Sequence, residues 1–380
     1  MHGLRLRSHA PLTIAACIAA ILIGGCTYGR MIRHRDAGIE DYGIFPYRGL
    51  EASTAPFKFT VADSLAAEEA LPAYRRARID EFLEKNDTVA FLAIRRDTLL
   101  LERYYGGHAD TSLSLSFSMA KSLLSILVGC AVDDGYIDSV NQPVTDYVPE
   151  LGPSGFDEVT LRHLLQMTSG MDYDEDENPL GLQARFYYGD NLEEMLLELK
   201  LRHTPGKYFE YKSGENQLLG LILSRALPSM TITEYTQARI WEPLGMEFDG
   251  LWSVDHEPGG IEKTFCCLAA RARDYAKMGR LYLNGGNWNG EQIVSGDWVR
   301  ESTRLDISDG SSAEFQYQWW LPDAYGTDFM AAGLPGQYIY VSPEHEVILV
   351  RLGRSEGKLK HDQWEEFLAS IVVEVGRSSR

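Results

Sequence analysis

The chain has 380 residues, of which 44% are hydrophobic and 24% are charged, and its formal net charge at pH 7 is −19. At roughly 150 residues per domain this length suggests about two domains, and the composition excludes collagen-like and wholly disordered proteins. A surface with so much negative charge repels phosphate backbones, so we expect no nucleic-acid partner.

Residues 1–25 have the pattern of a bacterial secretory signal peptide. Arg5 and Arg7 precede the apolar run Leu12–Ile23, and small residues follow it. At about 1.5 Å per residue, this run is too short to cross a ~30 Å hydrocarbon core comfortably. A permanent single-span anchor is therefore disfavoured.

The end of the signal peptide resembles a bacterial lipobox. Ile23-Gly24-Gly25-Cys26 implies cleavage before Cys26 and lipidation of its thiol, with simple secretion or a retained anchor as the alternatives. Thr27 stands where such leaders often carry an Asp for inner-membrane retention, so the resemblance favours the outer membrane. We expect a lipoprotein of the bacterial cell envelope that faces the periplasm and contacts a membrane only through its lipid anchor.

Cysteine and histidine usage predicts neither a disulfide framework nor a metal site. Cleavage leaves Cys130, Cys266 and Cys267 besides Cys26, and an odd set does not form a disulfide framework. The sequence has no C-x-x-C, no H-E-x-x-H and no convincing glycine-rich loop for a nucleotide. We therefore expect no metal and no other cofactor.

The first and last predicted elements are strands and a helix that belong together. β-type runs over 88–94 and 98–105 form a hairpin, and a second hairpin covers 337–341 and 346–352. The segment 363–373 has apolar residues at helical spacing and should pack on the resulting sheet.

Hairpins at both ends with helices between them predict an α/β fold of the α+β kind. One antiparallel sheet is built from both chain ends and flanked by helices, and the active site lies in the groove beside an inserted helical domain. Within that inserted domain, the acidic run Asp172–Glu177 is interpreted as a solvated loop, with a lid or a cation-attracting rim as the alternative. The expected division is a tether over 26–75, a sheet domain over 76–117 and 325–380, and a mainly helical domain over 118–324.

Ser118 and Lys121 are the strongest catalytic candidates. They match S-x-x-K, and the residues that follow are apolar on most sides of a helix, which must therefore be buried. Residues i and i+3 share a helix face, so the lysine amine lies within reach of the serine hydroxyl. Desolvation lowers a lysine pKa, and a neutral Lys121 can take the proton of Ser118 while the helix N-terminus offers one oxyanion-hole amide.

A second S-x-x-K match makes Ser355 a rival nucleophile. Roughly 0.7 such matches are expected by chance, and Ser355 also lies in a G-x-S-x-G pattern between a strand and a helix. An α/β-hydrolase needs its acid and then its histidine after the serine, yet 25 residues remain with His361 as their one histidine. We therefore interpret Ser355 as a residue of a strand-to-helix turn.

Two segments carry a family resemblance, namely Ser118-Met-Ala-Lys-Ser and the stretch from Pro205 to Gly220. From about residue 85 to its end, the chain resembles the serine β-lactamase-like hydrolases, which include class C β-lactamases and penicillin-binding proteins. It is most similar to the carboxylesterase and 6-aminohexanoate-dimer hydrolase branch. The resemblance implies a β-lactamase-like fold and gives Tyr211 the role of the tyrosine in the family's Tyr-x-Asn motif. Ser213 replaces the usual Asn, which resembles the amide-oligomer hydrolases and implies an auxiliary role.

The third family motif is where this chain departs from the lactamases. Their Lys-Thr-Gly strand, which recognises the carboxylate of the drug, has no match, since Lys263-Thr-Phe lacks the glycine. The missing cationic clamp favours esters or linear amides over β-lactams. The register with the family implies that a backbone amide near Ala331 supplies the second oxyanion donor.

Three functions are compatible with the sequence. The first is an envelope serine hydrolase for small-molecule esters or linear amides, in which Ser118 attacks, Lys121 with Tyr211 accepts the proton, and Tyr211 protonates the leaving group. The second is DD-peptidase or β-lactamase activity of the same residues on cell-wall peptides or β-lactams, and the third is a non-catalytic binding lipoprotein. Candidates for an apolar pocket, with core packing as the alternative, are Tyr187-Tyr188, Trp252 and Trp319-Trp320.

Overall fold

The signal peptide and Cys26 lie outside the described residues, so cleavage, lipidation and the location in the envelope stay predictions. No helix within the described ranges is long and apolar enough to cross a bilayer. The structure is a computed structural model that describes residues 27–34, 37–176, 178–308, 310–322 and 326–377.

The strands are short except near the two ends of the chain. In chain order they are β1 (Tyr47–Leu50), β2 (Thr60–Val61), β3 (Thr88–Arg95), β4 (Thr98–Tyr104), β5 (Ser114–Leu115), β6 (Gly250–Ser253), β7 (Leu268–Ala270), β8 (Asn287–Trp288), β9 (Glu291–Gln292), β10 (Phe315–Gln316), β11 (Trp319–Trp320), β12 (Phe329–Gly333), β13 (Gln337–Ser342) and β14 (Val347–Gly353).

Helices fill most of the chain between these end strands. The α-helices are α1 (Thr27–Arg33), α2 (Ser64–Ala70), α3 (Ala73–Lys85), α4 (Met119–Asp133), α5 (Leu161–Leu165), α6 (Leu182–Tyr188), α7 (Leu192–Leu197), α8 (Ser213–Ala226), α9 (Ile232–Thr236), α10 (Ala272–Leu283), α11 (Gly296–Ser302) and α12 (His361–Arg377). Short 3₁₀ turns cover Asp41–Gly43, Val144–Asp146, Pro149–Ser154 and Phe156–Glu158, and a π-helical turn, Gln237–Trp241, extends α9.

The eight-stranded sheet joins the two ends of the chain. Its strand order is β10-β11-β12-β13-β14-β3-β4-β2. The junction is the pair β14–β3, in which Leu349 lies opposite Ala93. Every neighbouring pair is antiparallel except β2–β4. The prediction of an α+β fold with a sheet built from both chain ends is therefore confirmed.

Both faces of this sheet are covered, which explains why its central strands are apolar without alternation. Along β3, Phe91 and Ala93 pack in a core that includes the apolar residues of α12, whereas Leu92 packs in the larger core on the other face. Helix α10 lies against that second face at Gly279, where a Cβ would be 2.9 Å from a methyl carbon of Ile339. The absence of a side chain permits this close approach.

Several strands lie outside the segments predicted as sheet. β10 and β11 join the eight-stranded sheet from the segment predicted as mainly helical, and β2 joins it from the predicted tether. The tether also contributes Phe45, Leu50 and Phe59 to the core, and its strand β1 belongs to a four-stranded sheet with the order β1-β6-β7-β5. Strands of two to four residues are too short to show a period-2 pattern.

Helix α4 is enclosed by the rest of the protein, as its sequence predicts. Every residue from Met119 to Ala131 is buried. The helix contacts α8 and β12, so it lies between the helical part of the protein and the large sheet. Ser118 immediately precedes this helix as its N-cap residue.

One disulfide joins two of the cysteines, although the sequence predicted no disulfide framework. Cys266 and Cys267 are bonded to each other, and Cys130 is a free, buried thiol. The odd count excluded a framework of several bridges but not one bond between neighbours in the sequence. The backbone bends at this point because Cys267 adopts a left-handed conformation with φ +71°.

Candidate active site

Ser118 has a hydroxyl that is not used to cap its own helix. An N-cap serine commonly accepts a hydrogen bond from a backbone amide of the first turn, but the Ser118 side chain makes no such bond. Its Oγ instead accepts a hydrogen bond from Nζ of Lys121 at 2.8 Å. The preceding residue, Phe117, has φ +44°, a conformation that costs about 1–3 kcal/mol for a bulky residue and is found most often at functional sites.

Lys121 is positioned and desolvated by its surroundings. Its side chain is buried, and Nζ also donates to the carbonyl oxygen of Phe265 at 3.0 Å. Burial, opposed by the negative charge of Glu175, lowers the lysine pKa to about 8. No carboxylate lies within ion-pair distance of Nζ in the part of the chain that the structure describes. A substantial fraction of the amine is therefore neutral at mildly alkaline pH, and the neutral amine can accept a proton from Ser118.

Tyr211 reaches the same hydroxyl from a distant segment, two residues before α8. Its phenol lies near enough to Ser118 for that hydroxyl to lower the Tyr211 pKa, and its ring centroid lies 5.0 Å from Nζ of Lys121. Burial, together with the negative charge of Glu175, raises the pKa of Tyr211 above its ordinary value despite the effect of Ser118. The phenol therefore carries its proton in the resting protein and can donate it.

Ser213 is not among the residues that line the cavity, and the auxiliary role that its position in the motif implied stays a prediction. The residue is completely buried. Its backbone N–H and its hydroxyl both donate to the carboxylate of Glu175 at 2.6 Å. Glu175 in turn lines the cavity beside Ser118. Ser213 thus holds a carboxylate that acts on Lys121 and Tyr211, so its contribution is indirect.

Glu175 belongs to the acidic run that was interpreted as a solvated loop. The neighbouring Asp172 and Asp174 fit that interpretation, because both bind Arg202 at the surface. Glu175 and Asp176 are also exposed, but they line the open cavity as well, which supports the alternative of an acidic rim. The acidic run was visible in the sequence. The residue that holds Glu175 by hydrogen bonds, Ser213 at the start of α8, is distant in the sequence.

Ala331 is not the residue of β12 that meets the nucleophile. It packs in the larger hydrophobic core, whereas Ala332, Gly333 and Leu334 line the cavity. A Cβ at Gly333 would lie 2.8 Å from the backbone nitrogen of Ser118. The end of β12 is therefore in direct contact with the helix amide, and the assignment of the second oxyanion donor to an amide near Ala331 stays a prediction.

A cavity of about 690 Å³ opens beside Ser118. Of the aromatic residues predicted to line a pocket, Tyr187, Tyr188 and Trp320 line this cavity. Trp252 and Trp319 are completely buried in the core. Among the described residues, no lysine or arginine lines the cavity. The aromatic lining residues are Phe117, Tyr187, Tyr188, Tyr211, Phe265 and Trp320, and the ionisable ones besides tyrosine and cysteine are Glu175, Asp176, Glu356 and His361.

The two motif-like residues that sequence analysis set aside lie elsewhere. Lys263 is completely buried and donates to the carbonyl oxygens of Phe186 and Gly189, so it does not form a carboxylate clamp. The Ser355 hydroxyl donates to Asp87 and accepts from the amide of Gly357. This is the hydrogen bonding of a turn.

A serine at a cavity wall and a buried lysine at the start of the same helix, facing an antiparallel sheet, define a class of serine hydrolase fold. The sequence model of the Beta-lactamase family matches residues 75–371. The protein belongs to this family.

The relatives of the chain include amide and ester hydrolases. It is 28% identical over 342 residues to a 6-aminohexanoate-dimer hydrolase of Paenarthrobacter ureafaciens, covering 84% of this chain and 85% of that protein. Its fold is similar to that of a putative 6-aminohexanoate-dimer hydrolase from Bacillus anthracis, with a TM-score of 0.76 and 23% identity over 89% of this chain and 92% of the other. A family VIII carboxylesterase has the same fold, with a TM-score of 0.63 and 18% identity over 84% of this chain and 99% of the other.

Proposed function

We propose that the protein is a serine hydrolase that cleaves carboxylic esters or linear amides through an acyl-enzyme on Ser118. The observation that carries the proposal is the 2.8 Å hydrogen bond between Nζ of Lys121 and Oγ of Ser118. The lysine is buried, its pKa is lowered to about 8, and its other described acceptor is the Phe265 carbonyl. An amine in this setting is a general base for the hydroxyl it contacts.

The first half of the reaction forms an ester between substrate acyl group and enzyme. Oγ of Ser118 attacks the carbonyl carbon while neutral Lys121 takes the hydroxyl proton. The oxyanion accepts hydrogen bonds from the Ser118 amide and from an amide of the segment 332–334. When the tetrahedral intermediate collapses, the bond to the leaving oxygen or nitrogen breaks and Tyr211 protonates that atom. The proton held by Lys121 then restores the phenol.

The second half repeats these steps with water. Water attacks the acyl carbon and gives its proton to the amine of Lys121. The bond to Oγ breaks, Ser118 recovers a proton, and the carboxylic acid leaves. The net change is one ester or amide bond and one water converted to an acid and an alcohol or amine, so no cofactor is needed.

Esters and linear amides are preferred over β-lactams and cell-wall peptides because both of the latter carry a carboxylate. The described cavity wall has no lysine or arginine to bind one. Relatives that are named as amide hydrolases and esterases support the same choice.

The test compares turnover of p-nitrophenyl butyrate, a short linear amide and a chromogenic cephalosporin. We expect the ester and amide to be hydrolysed, and Ser118→Ala to lose about 10³-fold or more in kcat/KM. Ser355→Ala is the matched control and should retain activity. Full turnover by Ser118→Ala contradicts the proposal, and faster hydrolysis of the cephalosporin favours a β-lactamase. A folded protein whose Ser118 does not react with fluorophosphonates favours a binding lipoprotein.

A further inference from the structure

The cavity has two different sides when it is followed outward from Ser118. On one side Phe117 stacks on Tyr187 with ring centroids 6.1 Å apart, and Tyr187 contacts Tyr188 at 4.8 Å. This side is aromatic. On the other side Tyr211 stacks on Trp320 at 5.5 Å.

Beyond Trp320, the second side ends in a carboxylate. The rings of Trp320 and His361 lie 5.7 Å apart. The hydroxyl of Tyr338 is 3.0 Å from Oε1 of Glu356 and 3.1 Å from Nδ1 of His361. Tyr338 is buried, whereas Glu356 and His361 line the cavity. The buried phenol thus holds the side chain of Glu356 at the cavity wall.

The carboxylate of Glu356 lies near one cationic side chain, the buried Arg351, without forming an ion pair with it. Within the described ranges it forms no ion pair with a lysine or arginine. The guanidinium of Arg351 attracts Glu356 electrostatically. It donates its hydrogen bonds to the carbonyl oxygens of Gly336, Asn86 and Ser355, however, and does not line the cavity. His361 faces Glu365 through its other ring nitrogen, at 3.3 Å. The negative charge of Glu356 therefore acts on whatever occupies this side.

Tyr211 determines which part of a substrate lies there. In the proposed reaction Tyr211 protonates the leaving group, so the leaving group lies on the side of Tyr211, Trp320 and Glu356. We propose that this side is a subsite for leaving groups that carry a positive charge, and that it disfavours leaving groups ending in a carboxylate. The inference rests on the proposed function. The expected substrates are therefore esters of amino alcohols and amides of diamines.

Two interactions give the subsite its selectivity. The indole face of Trp320 attracts a cation through its quadrupole. Glu356 attracts the same cation by charge, in a cavity whose apolar walls reduce screening. Glu175 and Asp176 add negative charge elsewhere on the wall. A leaving group with a terminal carboxylate meets all three charges with the wrong sign and finds no lining lysine or arginine among the described residues.

Three butyrate esters of similar size test the proposal. They are butyrylcholine, its neutral isostere 3,3-dimethylbutyl butyrate, and the butyrate ester of 4-hydroxybutanoate. Turnover is followed by pH-stat at pH 8 and low ionic strength. We expect kcat/KM for the cationic ester to exceed that of the neutral ester by about 10-fold, with the anionic ester slowest. Salt should reduce these ratios.

Substitution of Glu356 assigns the selectivity to this residue. Glu356→Gln keeps the shape and the bond to Tyr338, and we expect it to bring the cationic-to-neutral ratio to about 2 or less. Glu344→Gln removes the same charge from an exposed turn, and should leave the ratio unchanged. Because each result is a ratio within one variant, partial loss of folded protein does not affect it.

Two results overturn the inference while the proposed function stands. They are equal turnover of the three esters by the unmodified protein, and a cationic preference that survives in Glu356→Gln. The proposed function has its own readout, since Ser118→Ala should abolish turnover of all three esters. Turnover that persists in Ser118→Ala overturns the proposed function instead.

Discussion

Lys121 and Lys263 are buried to almost the same degree, yet they lie in different chemical environments. Burial is the main cause that lowers both pKa values, to about 8 for Lys121 and to about 7 for Lys263. The amine of Lys263 donates both of its described hydrogen bonds to carbonyl oxygens, those of Phe186 and Gly189. Lys121 divides its bonds between a carbonyl and the Ser118 hydroxyl.

The difference shows that a depressed lysine pKa does not by itself identify a general base. A neutral amine accepts a proton only from a donor it contacts, and a carbonyl has none to give. Lys263 therefore serves as a hydrogen-bond donor to backbone carbonyls at the end of α6. Lys121 contacts the Ser118 hydroxyl beside the cavity. Substitution of either lysine should therefore have different effects on activity.

Replacing each lysine by methionine is the direct test. We expect Lys121→Met to lower kcat/KM for p-nitrophenyl butyrate by about 10³-fold or more, because the hydroxyl loses its base. Lys263→Met should keep most of the activity and lose about 1–3 kcal/mol of unfolding free energy, because two buried carbonyls lose a donor. Steady-state kinetics and thermal unfolding measure both. Equal losses of activity in the two variants would contradict the assignment.

Removal of the Tyr211 hydroxyl separates proton donation from proton acceptance. Tyr211→Phe should lower amide turnover by about 10²-fold or more, since an amine leaves only when protonated. The loss should be smaller for p-nitrophenyl butyrate, whose leaving group departs as a stable anion. Tyr208→Phe, in the exposed part of the same segment, is the control. An equal loss for both substrates would argue against a proton donor.

The pH dependence of activity reports the protonation of Lys121. The amine is charged and inactive below its pKa of about 8 and neutral and active above it. We therefore expect kcat/KM to rise about tenfold per pH unit well below pH 8 and to level off above it. A pH–rate profile with correction for spontaneous ester hydrolysis measures this. A rate that falls across the same range would be incompatible with a neutral lysine base.

Glu175 should shift that profile without removing it. Its negative charge favours the ammonium form and so raises the Lys121 pKa against the effect of burial. Glu175→Gln removes the charge, and we expect the midpoint to move to lower pH by less than about one unit. Glu344→Gln again serves as the distant control. A midpoint that moves to higher pH would show that the charge of Glu175 does not act in this way.

The Cys266–Cys267 bond should have the smallest effect. It lies next to Phe265, whose carbonyl accepts a hydrogen bond from Lys121. Opening the bond with a phosphine, or replacing both cysteines by serine, should loosen this carbonyl and lower kcat by about 3-fold. The double variant should not respond to the phosphine. A response in that variant would place the effect at another group.

The parts of the fold that the sequence predicted are long and strongly patterned. The run over 88–94 is the strand Thr88–Arg95, and the run over 98–105 is Thr98–Tyr104. The final helix, expected over 363–373, is His361–Arg377. These elements have enough residues for their period to be visible. The two-residue strands β10 and β11 are too short to show a period. They form because β11 pairs with β12 and β10 pairs with β11.

The candidate site was predictable where it is local. Ser118 and Lys121 are three residues apart, and the helix that carries them sets their relative position. Tyr211 was named through a family resemblance, and its contact with Ser118 depends on the packing of α8 beside α4. The contacts of Glu175 with Ser213 and of Gly333 with the Ser118 amide also join distant segments. No local pattern specifies them.

The sequence by itself determined that both chain ends contribute strands, that a buried helix follows Ser118, and that Lys121 shares a face with this residue. Each follows from a repeat or spacing within a few residues. Only the tertiary structure decided that Lys263 faces carbonyls, that Gly333 lies against the Ser118 amide, and that Glu356 lines the Tyr211 side of the cavity. Those outcomes depend on which surfaces pack together, since burial and charge at a site come from residues far apart in the chain.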